Sequence, residues 1–329
     1  MLLKSNALIE NPVCSVIIIT YNQETTITQT IESILAQKCN YSFEIIIGED
    51  CSNDTTRAIC INYQKRYPEK ILLLLQENNK GVVPNYFETL SEAKGTYIAQ
   101  CAGDDYWHNP NKLQMQIEFL EDKPDYGFVH TDVDVLDCKS GKISKNNNFT
   151  SNTKIIEGYA MKEIWDINRI SAPTVCFRMD AFKKYIRSSD FIRLQFPMED
   201  WPMWIILSKY YKVGYIPIST ATYRTGQNSI INESDYSKKE KYLDGCDRVC
   251  RYLANLFPEE LDYSEKDLRE FKYTALLDLA FLKKDFSSAR KYASKLIKDN
   301  HSAKKVLICK NRLFFYLFIF YQQIYRLFN

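Results

Sequence analysis

Residues 95–110 read Gly-Thr-Tyr-Ile-Ala-Gln-Cys-Ala-Gly-Asp-Asp-Tyr-Trp-His-Asn-Pro: a short β-prone apolar run, a glycine, and two adjacent carboxylates. Tyr97 to Cys101 suits a strand buried in a sheet, and Gly103 lets the backbone turn sharply, so Asp104 and Asp105 emerge at the strand's C-terminal edge. Open α/β sheets bind ligands at that edge. Like charges side by side repel, and a hard cation such as Mg2+ or Mn2+ relieves the repulsion while holding a substrate diphosphate. The pair therefore reads as a metal site; the plain alternative is a solvated Asp-Asp turn ahead of a helix.

Upstream, apolar strands alternate with amphipathic helices. Val13 to Tyr21, Val-Cys-Ser-Val-Ile-Ile-Ile-Thr-Tyr, is the β-branched run of a strand buried on both faces of a parallel sheet. Ile27, Ile31, Ile34 and Leu35 form one stripe on a helix predicted from near Glu24. Phe43 to Gly48 is a second strand, Glu49 to Asp54 a polar turn, and Thr55 to Tyr67 a helix that Asp54 caps and Pro68 closes. Ile71 to Leu75 gives a third strand, Asn78-Asn79-Lys80-Gly81 a loop, and Pro84 to Lys94 another helix. The alternation predicts right-handed crossovers and a mostly parallel sheet of the nucleotide-binding kind. Neither Gly-x-Gly-x-x-Gly nor Gly-x-x-x-x-Gly-Lys-Ser/Thr occurs, which leaves a carboxylate-held metal to handle phosphate charge.

A length of 329 residues suits two domains or one large one with an appendage, and a hydrophobic fraction of 45% supplies a sizeable core, so disorder is not the expectation. A net charge of +2, from 43 basic and 41 acidic residues, gives no general electrostatic case for nucleic acid. Ten cysteines without Cys-x-x-Cys pairing, several in apolar runs, favour free thiols in a reducing cytosol over disulfides or zinc. The start, Met-Leu-Leu-Lys-Ser-Asn, lacks a secretion signal, and no run reaches the roughly 18 apolar residues of a membrane span. A cytoplasmic location is the expectation, with a peripheral place on the cytoplasmic face of the membrane as a variant of it.

Four motifs in order, Val-Ile-Ile-Ile-Thr-Tyr-Asn (16–22), Glu-Asp-Cys-Ser-Asn-Asp-Thr-Thr (49–56), Asn-Lys-Gly (79–81) and Gly-Asp-Asp-Tyr-Trp (103–107), resemble the family 2 inverting glycosyltransferases of GT-A fold. The resemblance covers about residues 12–225 and implies a nucleotide-sugar donor, commonly a UDP-sugar, with Mn2+ or Mg2+. Carried over, it puts Thr20, Tyr21 and Asn22 at the nucleoside pocket and makes Asp50 accept a hydrogen bond from the base, with Glu49 standing where the family often has another Asp. Asp104 corresponds to the last Asp of the family's Asp-x-Asp metal motif, whose first position is Ala102 here. That departure leaves Asp104 and Asp105 for the metal.

After Pro110 a helix carries Leu113, Ile117 and Leu120 on one face, read as core packing, followed by a strand from Gly127 to Leu136 in which His130 reads as a core residue. Lys139 to Asn152 is polar and reads as a surface loop. Pro197-Met-Glu-Asp-Trp-Pro-Met-Trp is the second acidic constellation. Asp200 can cap a helix whose first turn holds Pro202; in the resembling family an acidic residue of this kind is the catalytic base, with Glu199 in reserve. A helix N-terminus should lower the Asp200 pKa and keep it ionised at pH 7. Tyr215 to Tyr223 reads as a strand ending in Tyr223-Arg224, similar to the family's element near the diphosphate; Gly226 stands where many members have a metal-binding His. Arg224 and Lys80 are candidate diphosphate partners, and Trp107, Trp201 and Trp204 candidates to stack on a sugar, core packing being the alternative.

From about Ser234 the chain turns helical. Tyr242, Val249, Leu253 and Leu256 fit one stripe, and Tyr273 to Leu282 with Ala289 to Ile297 read as an antiparallel pair. The tail from Lys304 to Asn329 is basic, aromatic and apolar, as an interfacial helix would be, with docking on the body or an oligomer contact as the alternative. The expected architecture is α/β, a GT-A type mostly parallel sheet flanked by helices, with a nucleotide-sugar-binding half over 1–110, an acceptor-binding half over 111–230 and a helical C-terminal region over 231–329. The expected activity is metal-dependent transfer of a sugar from a nucleotide-diphosphate donor to a glycan hydroxyl, in cell-surface polysaccharide or lipopolysaccharide synthesis. The expected partners are that donor, a glycan or lipid-linked glycan acceptor and, through the tail, a membrane surface. A catalytically silent glycan-binding or assembly subunit remains the alternative; a nucleotidyltransferase would show a glycine-rich basic N-terminal loop, which is not present.

Overall fold

The computed structural model describes residues 1–5, 8–146, 148, 155–226, 234–298, 308–309, 311–312 and 314–316. The chain divides into two compact units, Met1–Gln227 and Asn228–Asn329.

The first unit is built on one sheet. The predicted buried strands form as β2 (Cys14–Thr20), β3 (Phe43–Glu49), β4 (Ile71–Leu75) and β5 (Tyr97–Ala102), mutually parallel in the order β4-β3-β2-β5. Their burial on both faces accounts for the unbroken apolar runs: Val16, Ile18, Ile45, Ile47, Ile71 and Ala99 are wholly inaccessible. A short β1 (Leu2–Leu3) pairs antiparallel with β4 at the edge. Helices α1 (Ile27–Leu35), α2 (Thr56–Arg66) and α3 (Val82–Ser91) are the crossovers. Helix α1 begins at Ile27, not near Glu24, because Gln23 to Thr26 close a turn in which the Gln23 carbonyl accepts from Thr26 N at 3.0 Å.

Beyond β5 come β6 (Tyr106–Trp107), α4 (Lys112–Asp122), β7 (Tyr126–Asp137) and β8 (Ile143–Ser144). Then follow α5 (Met161–Asp166), β9 (Cys176–Arg178), α6 (Met179–Tyr185), α7 (Ser188–Arg193), α8 (Asp200–Tyr210) and β10 (Lys212–Thr225). Strand β9 slots antiparallel between β5 and β7, β10 lies parallel to β7, and β6 turns back antiparallel on β10. The two sequence halves of this unit thus share a single sheet, and the C-terminal ends of β2, β3, β4 and β5 open on one edge. The surface loop predicted over Lys139–Asn152 contains the short β8, and part of it lies outside the described residues.

The second unit is helical: α9 (Tyr236–Leu256), α10 (Glu265–Leu282) and α11 (Phe286–Lys298). Val249 and Leu253 are buried as the α9 stripe predicts, but Leu256 at the helix end is 43% exposed, and Leu243 is the residue that turns inward. Leu276, Leu277 and Ala280 of α10 pack with Ala289, Tyr292 and Ala293 of α11 as the expected helical pair. No helix among the described residues is long and apolar enough to cross a membrane. The interfacial helix expected over 304–329 falls mostly outside the described residues, as does the expected boundary at 230/231.

Candidate active site

Three loops meet at the C-terminal ends of β2, β3 and β4. After Thr20 the chain turns through Asn22, whose φ of 52° is in the left-handed region that asparagine tolerates. Asn22 Oδ1 accepts from Asn53 N at 2.8 Å, Asn22 N donates to Ser52 Oγ at 3.0 Å, and Gln23 N donates to Thr56 Oγ1 at 2.8 Å. Tyr21 is 40% exposed and its hydroxyl takes Asn53 Nδ2 at 3.3 Å. Asp54 Oδ1 accepts from Thr56 N at 2.9 Å, so it serves the α2 terminus from one residue before the N-cap position, which Thr55 occupies.

Asp50 ties in the third loop. Its Oδ1 accepts from Lys80 N at 2.8 Å and its Oδ2 from Gly81 N at 2.9 Å. Burial raises its carboxyl pKa, and these two amides oppose the rise. Glu49 is fully buried: Oε1 takes Ser52 N at 2.6 Å and Oε2 pairs with Arg57 Nε. Its carboxylate is thus engaged in holding the β3 turn. Lys80 stands on the surface with its ammonium 2.6 Å from Glu88. The predicted donor residues Thr20, Tyr21, Asn22, Glu49, Asp50 and Lys80 therefore share one edge, with Asp50 and Glu49 turned to the scaffold.

The β5 end supplies the carboxylate pair. A Cβ on Gly103 would lie 2.7 Å from Thr20 Oγ1 and 2.9 Å from Thr20 Cβ, so only glycine lets this turn lie against β2. Thr26 Oγ1 and Thr30 Oγ1 of the α1 region donate to the Gly103 carbonyl at 2.8 and 3.0 Å, and Thr30 Oγ1 also to the Asp105 carbonyl at 2.6 Å. The pair is split by environment. Asp105 is 2% exposed and its Oδ1 accepts from Arg224 N at 2.9 Å, which fastens the end of β10. Burial, then the Asp104 charge, holds its pKa well above the carboxylate range. Asp104 is half-buried, its pKa raised by burial and lowered by Arg224 and by a hydrogen bond from Gln23, whose Oε1 is engaged by Thr20 Oγ1 at 2.8 Å.

Arg224 is 9% exposed: its guanidinium donates to the Asp104 carbonyl and to Gln29 Oε1 and lies 4.8 Å from the Tyr106 ring centroid. Gly226 has a φ of 82°, a conformation strained for any L side chain, so the turn itself explains why no histidine follows the Tyr-Arg element. Among the described residues no group of three or more His, Cys, Asp or Glu converges on a common point. A divalent cation that keeps waters and binds substrate phosphates needs only one or two carboxylates. Asp104 fits that requirement, whereas the Asp105 carboxylate is turned to the Arg224 amide.

Asp200 is the first residue of α8, and Glu199 occupies the N-cap position. Asp200 Oδ1 accepts from Trp201 N at 2.7 Å, and the Asn168 side chain adds a second hydrogen bond. The helix terminus does not lower this pKa: burial outweighs the amide bonds and raises it, which corrects the sequence expectation. Glu199, 7% exposed, is pushed up to about 8 by burial and then by the Asp200 charge. The two acidic constellations act on a common group. Tyr223 on β10, its phenol pushed up to about 12 chiefly by burial, feels the charges of Asp105, Asp104 and Asp200 together. Tyr86 of α3, buried and donating to Gln100 Oε1 on β5 at 2.7 Å, feels Glu199 and Asp200.

The tryptophans resolve towards packing. Trp107 is buried with Nε1 on the Pro173 carbonyl at 2.9 Å, and Trp204 is fully buried against Phe128 at 5.1 Å between ring centroids. Trp201 donates to the Ile164 carbonyl at 2.8 Å and stacks on Trp165. His130 is buried with Nε2 2.7 Å from the Ile156 carbonyl, a core residue as read. Sequence reading missed Gln23, Gln29, Thr26, Thr30 and Asn168, and took Tyr223 only as part of the Tyr-Arg element. Only the Thr26/Thr30 spacing of four, one face of a helix, was a signal for any of them.

Residues 15–186 match the family model for glycosyl transferase family 2. An uncharacterised protein of Mycobacterium tuberculosis is 40% identical over 111 residues, 34% of this chain and 32% of its own length. A UDP-Glc:alpha-D-GlcNAc-diphosphoundecaprenol beta-1,3-glucosyltransferase, WfgD of Escherichia coli, is 32% identical over 126 residues, 38% of this chain and 47% of its own. The chain thus matches about a third to a half of the length of these relatives. A solved mannosyltransferase of Pyrobaculum calidifontis, in complex with GDP-Man and Mn2+, superposes with a TM-score of 0.51 at 13% identity, covering 93% of this chain and 85% of that one. That likeness concerns the fold alone, a GT-A architecture. The matched span takes in the loops after β2, β3 and β4 and the Gly103-Asp104-Asp105 turn, more than half of the sequence, and the chain belongs to the family 2 glycosyltransferases.

Proposed function

We propose that the chain is an inverting glycosyltransferase that moves a sugar from a UDP-sugar to a hydroxyl of a glycan acceptor, in the synthesis of a cell-surface polysaccharide or lipopolysaccharide. The observation that supports this reading is that Asp104 and Asp105 follow directly on the end of β5, at the edge where the donor-loop residues gather, while the charges of Asp105, Asp104 and Asp200 all act on the buried Tyr223 phenol. One acidic group stands at the β5 end and another at the first residue of α8. The donor class and the lipid-linked glycan acceptor are supported by the name of the E. coli relative, and the divalent metal by the Mn2+ in the archaeal structure.

On this reading the loops at Thr20–Asn22 and Asp50 hold the nucleoside, with Glu49 keeping the β3 turn in shape through Arg57. Asp104 would hold a divalent cation, with Asp105 fastening the end of β10 through the Arg224 amide; when bound, such a cation neutralises charge on a leaving diphosphate. Arg224 adds fixed positive charge at the same edge. Asp200 accepts the proton of the attacking hydroxyl, and a raised pKa makes it a stronger base than a solvated aspartate. Glu199, its carboxyl pushed up to about 8, keeps its own proton near neutral pH and so removes a like charge beside Asp200.

Donor turnover measured with Mn2+ for the native chain and for Asp104→Ala, beside a thermal-shift screen of nucleotide sugars, tests the reading. The expected result is stabilisation by a UDP-sugar and a drop in turnover of about a hundredfold or more in the variant. Equal, negligible turnover in both chains, with no nucleotide sugar stabilising either, would mean a silent glycan-binding subunit instead.

A further inference from the structure

The second unit carries a surface feature that the sugar-transfer reading does not use. Helices α10 and α11 are joined by an elbow, Lys283 to Asp285, with Lys284 at a φ of 55°. Asp285 is the one acid among residues 281–286 and 308–316. Its carboxylate is occupied: Oδ1 accepts from Ser288 N at 3.1 Å and Oδ2 from the Tyr236 hydroxyl at 3.2 Å. Phe315 is fully buried on this elbow, its ring 4.7 Å from that of Phe281 and 5.5 Å from that of Phe286. Next to it the Tyr316 hydroxyl donates to the Lys284 carbonyl at 3.4 Å.

Seating Phe315 inward leaves its neighbours outward. Leu282 is 77% exposed, Phe314 59% and Tyr316 40%. Lys283, Lys284 and Arg312 are exposed around them, and the Arg312 guanidinium lies 6.0 Å from the Tyr316 ring centroid. Large exposed apolar side chains pinned together are unusual on a soluble surface and mark an interaction site. Three cations stand against Asp285, which is turned inward, and Asp235, whose charge acts with that of Lys283, so the patch stays net cationic and selects an anionic occupant. A second copy of the chain would set like charges face to face. Aromatic and aliphatic side chains ringed by Lys and Arg match a bilayer interface, where apolar groups enter the headgroup boundary and cations meet phosphate.

We propose that the α10–α11 elbow docks on an anionic lipid bilayer, with Leu282, Phe314 and Tyr316 entering the interface and Lys283, Lys284 and Arg312 lying against the lipid phosphates. The proposal is independent of the donor and of the catalytic reading, because its readout needs neither.

The test is co-sedimentation of the full chain with vesicles of phosphatidylcholine alone and of phosphatidylcholine with phosphatidylglycerol, at low and high salt. The expected result is binding to the anionic vesicles only, weakened by salt, with about fivefold lost for each charge removed by Lys284→Gln or Arg312→Gln. Leu282→Ser with Phe314→Ser should cost about tenfold at an unchanged melting temperature. Lys284→Arg should bind as the native chain does. Equal binding to both vesicle types, binding to neither, or variants that bind undiminished would overturn the proposal. So would a native dimer that the serine variants dissociate while vesicle binding stays constant.

Discussion

A carboxylate at the first residue of a helix meets two opposed influences, the unpaired amides that favour its charge and the loss of water that disfavours it. At Asp200 burial wins and the pKa rises. On the proposed reading, turnover should therefore fall on the acid side at a pH above the ordinary carboxylate range. Asp200→Asn should lower transfer by about a hundredfold to ten-thousandfold while nucleotide-sugar binding holds within a few fold; steady-state kinetics beside donor titration separates the two, and a variant that loses binding first would place Asp200 on the donor side. Glu199 gives a stability prediction. Its carboxyl goes from 4.5 to about 8 in the folded chain, so the fold binds that proton more tightly than the unfolded chain does. The stability from this is fully present below about pH 4.5 and is lost as pH rises through about 8. Glu199→Gln cannot lose it, so the Tm of the variant relative to the native chain should rise between about pH 5 and pH 8.5, and a constant difference would contradict the assignment.

The first helical crossover does more than pack. Its apolar stripe, Ile27, Ile31 and Ile34, is fully buried, while Thr26 and Thr30 reach the carbonyls of the turn that bears the two aspartates. These hydroxyls answer buried backbone acceptors at a place where the strand has ended and no ladder partner remains. Thr30→Val, nearly isosteric, should cost about 1–3 kcal/mol, read by denaturant unfolding, because it takes the hydroxyl donor from the Asp105 carbonyl, while the Gly103 carbonyl keeps Thr26. If Asp104 is positioned through this turn, the same variant should also weaken Mn2+-dependent donor binding. A change in stability with no change in donor binding would confine the threonine to a packing role.

Across the whole molecule no disulfide joins the ten cysteines, all of which lie among the described residues. Cys14, Cys60, Cys101, Cys176, Cys250 and Cys309 are buried, and burial pushes the Cys60 thiol up to about 12 and the Cys309 thiol up to about 11. Reaction with a thiol reagent near neutral pH should be confined at first to the four partly exposed thiols, faster at Cys51 and Cys138 than at Cys39 and Cys246, whose thiols burial pushes up. The other six should appear on unfolding, and reductant should leave the Tm unchanged. More than four fast thiols in the native chain would show that one of the buried sites opens.

Much of this architecture was legible from residue order. Runs such as Val16–Ile19 and Ile45–Ile47 admit only strands buried on both faces, and helical stripes between them force parallel crossovers, so the sheet edge bearing Asp50 and Asp104 followed from local pattern alone. The inverted β9 did not, because a three-residue strand carries no period. Nor did the division of the aspartate pair, or the upward shift at Asp200. Charge state depends on how much water the surrounding elements exclude, and which carboxylate faces the Arg224 amide depends on where β10 ends beside β6. Those are distances between segments more than a hundred residues apart, set when the sheet closes, and residue order does not contain them.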